Sequence, residues 1–164
     1  MYENIVPLVA PVDGTTSSPA STYLDIQSAH RASFLLYFGV VTSATATDTM
    51  TLTVEASTAS ASNATEEAIA FDYRLSDAFA GGNTWGAVTA ATSAGLSLGA
   101  STVFDGFMVY IDIDPQAVTA KKPDARWVRL VLTPSEAYSA ILYTVIGMID
   151  PRYKGTTMIA ATVT

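Results

Sequence analysis

The residues of this chain that could do chemistry are few, and each has a plainer use. His30 is the only imidazole, so it is the sole candidate base for a serine triad. It heads the stretch "AHRASFLLYFGVV" (29–41), the serines are scattered, and no nucleophile elbow is expected beside it. His30 is therefore expected at a strand's entrance, bonded to a turn carbonyl. Asp112 and Asp114 in "YIDIDP" lie two apart, which puts both carboxylates on one face of a strand. Such a pair can hold a hard cation or serve glycosidic acid–base work. With no partner carboxylate and no EF-hand-like spacing, it reads as two solvated aspartates ahead of a proline turn. Gly81, Gly82 and Gly86 in "AGGNTWG" lack the G-K-[ST] of a phosphate loop and a helix to follow, so they read as a hairpin or loop. Trp85 and Trp127 remain. Aromatic faces stack on sugars, and Trp85 with Asp112 and Asp114 would make a carbohydrate or receptor site; the plainer use is packing in a core or interface. No catalytic, cofactor or metal residue is assigned.

Composition says what must position these groups. The chain has 164 residues, enough for one domain that buries about 70 % of its unfolded surface. Charged residues are only 14 %, and Ala, Ser, Thr and Gly fill the shortfall, which favours strands and tight turns over amphipathic helices. There is no cysteine, so disulfides, thiolate nucleophiles and zinc–sulfur sites are excluded. "MYENIVPLVAPVDG" has an early Glu3, no basic region, and prolines at 7 and 11, and makes a poor secretory signal. The apolar run 32–41 is half the roughly 20 residues a membrane helix needs, so a soluble protein is expected. Net charge is −7 but uneven: residues 1–120 carry twelve acidic and two basic groups, residues 121–164 three acidic and six basic. No broad positive field exists to attract nucleic acid. The late basic residues either mark a docking face or neighbour the early carboxylates in the fold. "AKKPDAR" (120–126) reads as a solvated loop or a salt-sensitive contact with an acidic partner.

Alternation is the recurring signal. "TMTLTVEAS" (49–57), "FDGFMVYIDID" (104–114) and "RWVRLVLT" (126–133) read as half-buried strands, and "AIAFDYRLS" (68–76) and "TYLDIQ" (22–27) as further ones. "SAILYTVIGMID" (139–150) and "ASFLLYFGVV" are nearly continuously apolar, as strands covered on both faces would be. Gly39 inside the second run predicts a bulge or a close backbone approach. "SNATEEAIA" (62–70) could start a helical turn, but nothing sustains a helix. About eight strands separated by Gly-, Ser-, Asn- and Pro-rich turns predict an all-β fold: a single antiparallel β-sandwich, jelly-roll-like.

The first twenty residues combine apolar side chains with prolines and show no strand alternation. Residues 1–21 are therefore expected to form an extended N-terminal arm on a sandwich domain of residues 22–164. Tyr2, Ile5, Val6, Leu8 and Val9 would then meet a partner, or strap the arm across its own sandwich. Removal of residues 1–12 is expected to leave the fold intact and weaken assembly.

The ordered series "YLDIQSAHRASFLLYFG", "DTMTLTVEASTASA", "AIAFDYRLSDA", "TWGAVT", "VYIDID", "RWVRLVLTP" and "AILYTVIGMIDPRYK" resembles the head decoration, or cement, proteins of tailed bacteriophages. The likeness spans roughly residues 20–155, and "RASFLLYFG" and "DPRY" carry most of it. The resemblance implies a non-enzymatic virion protein on the outer capsid surface, made in the host cytoplasm. It implies the major capsid protein as partner, self-association as a homotrimer, no cofactor, and no contact with nucleic acid or membrane. A virion-surface glycan or receptor binder, and a tail or connector protein forming rings or tubes, are the alternatives.

Overall fold

Side chains two apart on a strand share a face, so Met50, Leu52, Val54 and Ala56 of one strand all enter the core while the threonines between them do not. That rule, repeated, builds a two-layer β-sandwich in the computed structural model, which describes residues 4–13, 20–43, 48–61, 65–77, 84–100, 105–136 and 138–152. Eleven strands and one helix occur among the described residues: β1 (Asn4–Asp13), β2 (Leu24–Asp25), β3 (Ala29–Ser43), β4 (Thr49–Ser57), β5 (Glu67–Ile69), β6 (Phe71–Leu75), β7 (Thr89–Ala91), β8 (Leu96–Ala100), β9 (Met108–Ile113), α1 (Pro115–Lys121), β10 (Trp127–Pro134) and β11 (Tyr138–Pro151). One sheet runs β1-β11-β3-β9-β6-β7; the other runs β2-β10-β4-β5, with β8 also on β4. The strand pairs are antiparallel. Most connections switch sheets, so the first strand pairs with the last. The expected all-β antiparallel sandwich is thus the fold, with more strands than the eight expected because β2, β5 and β7 are only two or three residues long.

The core lies between the sheets, where Phe34, Leu36 and Phe38 of β3 face Leu52 and Val54 of β4 and Leu130 and Leu132 of β10 within one buried cluster. The expectation that β3 and β11 are covered on both faces fails. Each buries one face, and the other, with Leu35, Tyr37, Ile146 and Met148, is only half-buried, because among the described residues no further layer covers the outside of the six-stranded sheet. Gly39 does sit at a bulge: Phe38 pairs with Tyr143 and Val41 with Ile141, so Gly39 and Val40 together face Leu142. A Cβ on Gly39 would stand 3.3 Å from the Leu142 Cβ.

Within the expected N-terminal arm, Asn4–Asp13 form an edge strand strapped to the chain's own sandwich. β1 pairs with β11 from Asn4↔Ile149 to Asp13↔Leu142, with register shifts beside Val9. Those shifts, and Pro7 and Pro11, erase the alternation that would have announced a strand. Leu8 is fully buried, Val6 and Val9 pack half-buried against the core, and Ile5 stays 68 % exposed. Tyr2 lies outside the described residues.

Of residues 62–70, where a helical turn was expected, 62–64 lie outside the described residues and Glu67–Ile69 form a strand paired with β4. Helix forms where a turn was read, at Pro115–Lys121, with Pro115 at its first position and the Asp114 carboxylate accepting from the Gln116 N–H at 2.8 Å. Only Pro115 and Val118 of it are buried, too few for an amphipathic stripe to show in the sequence. The late basic residues neighbour early carboxylates: Arg126 pairs with Asp25, Arg129 with Glu55 and Glu66, and Lys121 with Glu67.

Candidate functional site

Alternation along β9 turns Tyr110 and Asp112 to the outside of the six-stranded sheet while Val109, Ile111 and Ile113 enter the core. β6 does the same with Asp72 and Arg74, and register sets Asp72 directly opposite Asp112 and Arg74 opposite Tyr110. From the other side β3 brings Arg31 and Ser33, the latter paired with Asp112. The Arg31 guanidinium grips the Asp112 carboxylate with two nitrogens, Nε at 2.8 Å from Oδ1 and a terminal nitrogen on Oδ2. The Ser33 hydroxyl lies 2.9 Å from that of Tyr110 and donates to Asp112 Oδ1 at 3.5 Å. The Arg31–Asp112 pair stands in solvent, where such pairs contribute at most about 1 kcal/mol, so it orients the carboxylate rather than holding the fold.

Trp85 is placed by the backbone. Ser76 and Trp85 form an antiparallel bridge, Asp77 N–H donates to Thr84 C=O at 3.1 Å, and Gly86 N–H donates to Leu75 C=O at 2.8 Å. The Thr84 hydroxyl also donates to the Asp77 carboxylate. A Cβ on Gly86 would stand 3.3 Å from the Leu75 carbonyl oxygen, so the glycine permits this close approach. The Trp85 indole remains 41 % exposed and meets the Tyr110 ring edge-on, centroids 6.2 Å apart at 72°. Arg31, Asp72, Arg74, Trp85, Tyr110 and Asp112 line a hollow of about 450 Å³. A second hollow of about 620 Å³ shares Arg31, Asp72 and Asp112 and continues past His30, Asp114, Gln116 and Asp150. Together they form one groove.

Trp85 and Asp112 therefore line one hollow, whereas Asp114 caps α1 and lines the second. His30 is exposed on β3, and the turn carbonyls beside it accept from Arg152 instead: Ser28 C=O from its N–H at 2.9 Å and Ala29 C=O from its Nε at 2.9 Å. Gly81 and Gly82 lie outside the described residues. Trp127 belongs to the other sheet, under the Arg126 guanidinium at 4.9 Å. Sequence reasoning missed Arg31, Asp72, Arg74 and Tyr110. Each is a polar position on an alternating strand, but nothing in the spacing says that β3, β9 and β6 are neighbours. It also passed over "GLSLG" (95–99), a G-x-S-x-G string. Ser97 lies exposed within β8 opposite Thr51, not on a turn between a strand and a helix, so among the described residues it does not form a nucleophile elbow. Among the described residues no group of three or more His, Cys, Asp or Glu could hold a metal ion, and no helix is long and apolar enough to cross a membrane.

A second polar cluster stands apart from the groove. Arg129 binds Glu55 and Glu66, lies over the Tyr23 ring at 5.2 Å, and Glu66 accepts from the Tyr23 hydroxyl. Burial first, then the bond to Glu66, pushes the Tyr23 hydroxyl up to about 12. Burial raises Tyr138 and Tyr143 as well. A raised folded-state value means the folded protein holds its proton longer than the unfolded chain. This stabilisation is complete below the ordinary tyrosine value of about 10 and is lost as pH climbs towards 12. Urea midpoints are expected to fall between pH 10 and 12, with a shallower fall in Tyr23→Phe; equal slopes for the two proteins would disprove the Tyr23 contribution.

A third feature is apolar. Val40 (53 % exposed) and Leu142 (43 %) face each other across the β3 bulge at one end of the six-stranded sheet, where β11 begins. Arg31, Asp112 and Asp150 lie towards the opposite end of the same strands.

No protein-family model and no curated protein matches the chain. Among solved structures the fold is similar to that of the SPBc2 prophage-derived protein YomS, with 9 % identity and a TM-score of 0.41 over 90 % of this chain and 94 % of that one. It is also similar to part of the Clostridium thermocellum endo-1,4-β-D-xylanase 10B CBM22-1–GH10 modules, with 13 % identity and a TM-score of 0.36 over 96 % of this chain and 27 % of that one. Both likenesses concern the fold: the chain is an antiparallel two-sheet β-sandwich, similar in structure to a prophage-derived protein.

Proposed function

We propose that this chain is a non-enzymatic virion structural protein that docks on the major capsid protein at the outer surface of an icosahedral phage head. It bridges neighbouring capsid subunits there and so stabilises the shell. The observation that carries this reading is the apolar end of the six-stranded sheet, where Val40 and Leu142 are exposed opposite one another at the bulge. Grouped apolar side chains in water are where a partner surface gains by covering them. The resemblance of the ordered strand patterns to those of decoration proteins suggests the choice of partner. Binding that requires several correctly placed subunits adds free energy only to the assembled shell, and many copies of a modest contact sum to a large effect. The rigid sandwich, with few long side chains, loses little conformational entropy on docking. A homotrimer places three such ends on one local three-fold position.

The double variant Val40→Asp/Leu142→Asp is expected to fold with an unchanged circular dichroism spectrum, since both residues are exposed. Its occupancy on emptied capsids is expected to drop about tenfold or more, as charge is forced into an apolar contact. Undiminished capsid binding by that variant rejects this docking face. Light scattering of the purified protein tests the trimer, and rings or tubes seen by electron microscopy would favour a tail or connector role instead.

A further inference from the structure

We infer that the groove between Trp85 and the Arg31–Asp112 pair is a binding site for an uncharged oligosaccharide. This goes beyond capsid docking, which uses the other end of the sheet. The groove offers no strand edge. β9 forms its floor and is hydrogen-bonded to β3 on one side and β6 on the other, so no strand edge is free to accept an added peptide strand. A ligand here is recognised by side chains.

Those side chains are of the kinds a pyranose needs. Its ring C–H groups form an apolar face that packs on an exposed indole, and its neighbouring hydroxyls both donate and accept. Trp85 supplies the indole, Asp72 and Asp112 supply acceptors, and Arg31 and Arg74 supply donors in planar forks. Two carboxylates and two guanidinium groups leave the first hollow with no net charge, and Asp114 and Asp150 make the second acidic, so the groove disfavours an anionic chain.

The groove also carries a local conflict. Like charges directly opposite on adjacent strands are destabilising, yet Asp72 and Asp112 are paired so in register. A surface built for stability alone would place threonine or valine at one of them. Instead Arg31 holds Asp112 through two nitrogens and Ser33 links it to Tyr110, so one carboxylate of the opposed pair is fixed in place before any ligand arrives. Preorganised polar groups that cost stability are what a binding site requires. Hollows of about 450 and 620 Å³ sharing three residues fit an extended chain of sugar units better than one sugar.

The test is titration calorimetry of the full chain with four neutral hexasaccharides, cello-, chito-, manno- and maltohexaose, and with two anionic ones, a heparin hexasaccharide and a hexagalacturonate, in about 150 mM salt. Saturable binding of at least one neutral hexasaccharide is expected. Trp85→Ala and Asp72→Asn are each expected to weaken it about tenfold or more, as loss of an aromatic anchor or a bidentate acceptor does. Trp127→Ala, on the other sheet, should leave it unchanged. No saturable neutral binding, preference for an anionic chain, or binding insensitive to both groove variants would each overturn the inference.

Discussion

Replacing Phe34 by alanine is expected to lower the stability of the protein by about 3–5 kcal/mol, the usual cost of removing a fully buried ring. For a chain of this length that corresponds to a fall in Tm on the order of 10 °C. Phe34 points between the sheets from the middle of β3, paired with Ile111 of β9 on one side and Gly147 of β11 on the other. The surrounding strands are locked by their own pairings and cannot collapse into the space, so the cavity persists. Tyr37 lies half-buried on the outer face of the same strand, and Tyr37→Ala should cost well under half as much. Thermal and urea unfolding of the two variants checks both values; a larger loss for Tyr37→Ala than for Phe34→Ala would mean that β3 is turned the other way.

Deleting residues 1–13 is the second large effect, and its sign distinguishes a strand from an arm. An arm lying outside the domain would leave unfolding unchanged. β1 instead brings Leu8 into the core, over Gly147: a Cβ on that glycine would stand 2.7 Å from Leu8 Cδ1 and 3.0 Å from Leu24 Cδ1. Its backbone is also tied in, with Leu8 C=O accepting from the Thr22 hydroxyl at 3.0 Å and Val9 C=O from the Thr144 hydroxyl at 2.7 Å. Leu8→Ala alone is expected to cost about 2–5 kcal/mol, and the deletion more. The deletion also strips the edge of β11, fourteen residues long and strongly apolar. Pro7 and Pro11, which offer no N–H, blunt the edge that β1 presents in the intact protein. The truncated protein is therefore expected to self-associate, read as a higher mass in light scattering. A deletion variant with wild-type urea midpoint and mass would restore the arm.

How much of this was legible in advance follows from the range of the interactions involved. β4, β9, β10 and β11 were legible because alternation is a local consequence of the pleat, and their observed bounds lie close to those read from the pattern. The Gly39 bulge was legible because a glycine within a packed run has few other uses. α1 carried a start signal, Asp114 followed by Pro115, but seven residues with two buried positions give no stripe to read. β1 was hidden by two prolines and its register shifts.

The groove is a harder case. Trp85 and Asp112 could be singled out as residue types, but Arg31, Asp72 and Arg74 acquire meaning only when β3, β9 and β6 lie side by side, and those strands are separated by up to eighty residues and interleaved with strands of the other sheet. Composition and alternation by themselves determined that this chain is a cysteine-free, all-β sandwich, because strand geometry and the exclusion of apolar groups from water act residue by residue. The tertiary structure alone decided which outward-facing residues are neighbours, and hence where an apolar end and a polar groove could exist. Strand order is fixed by the packing of the whole core, and no short stretch of sequence contains it.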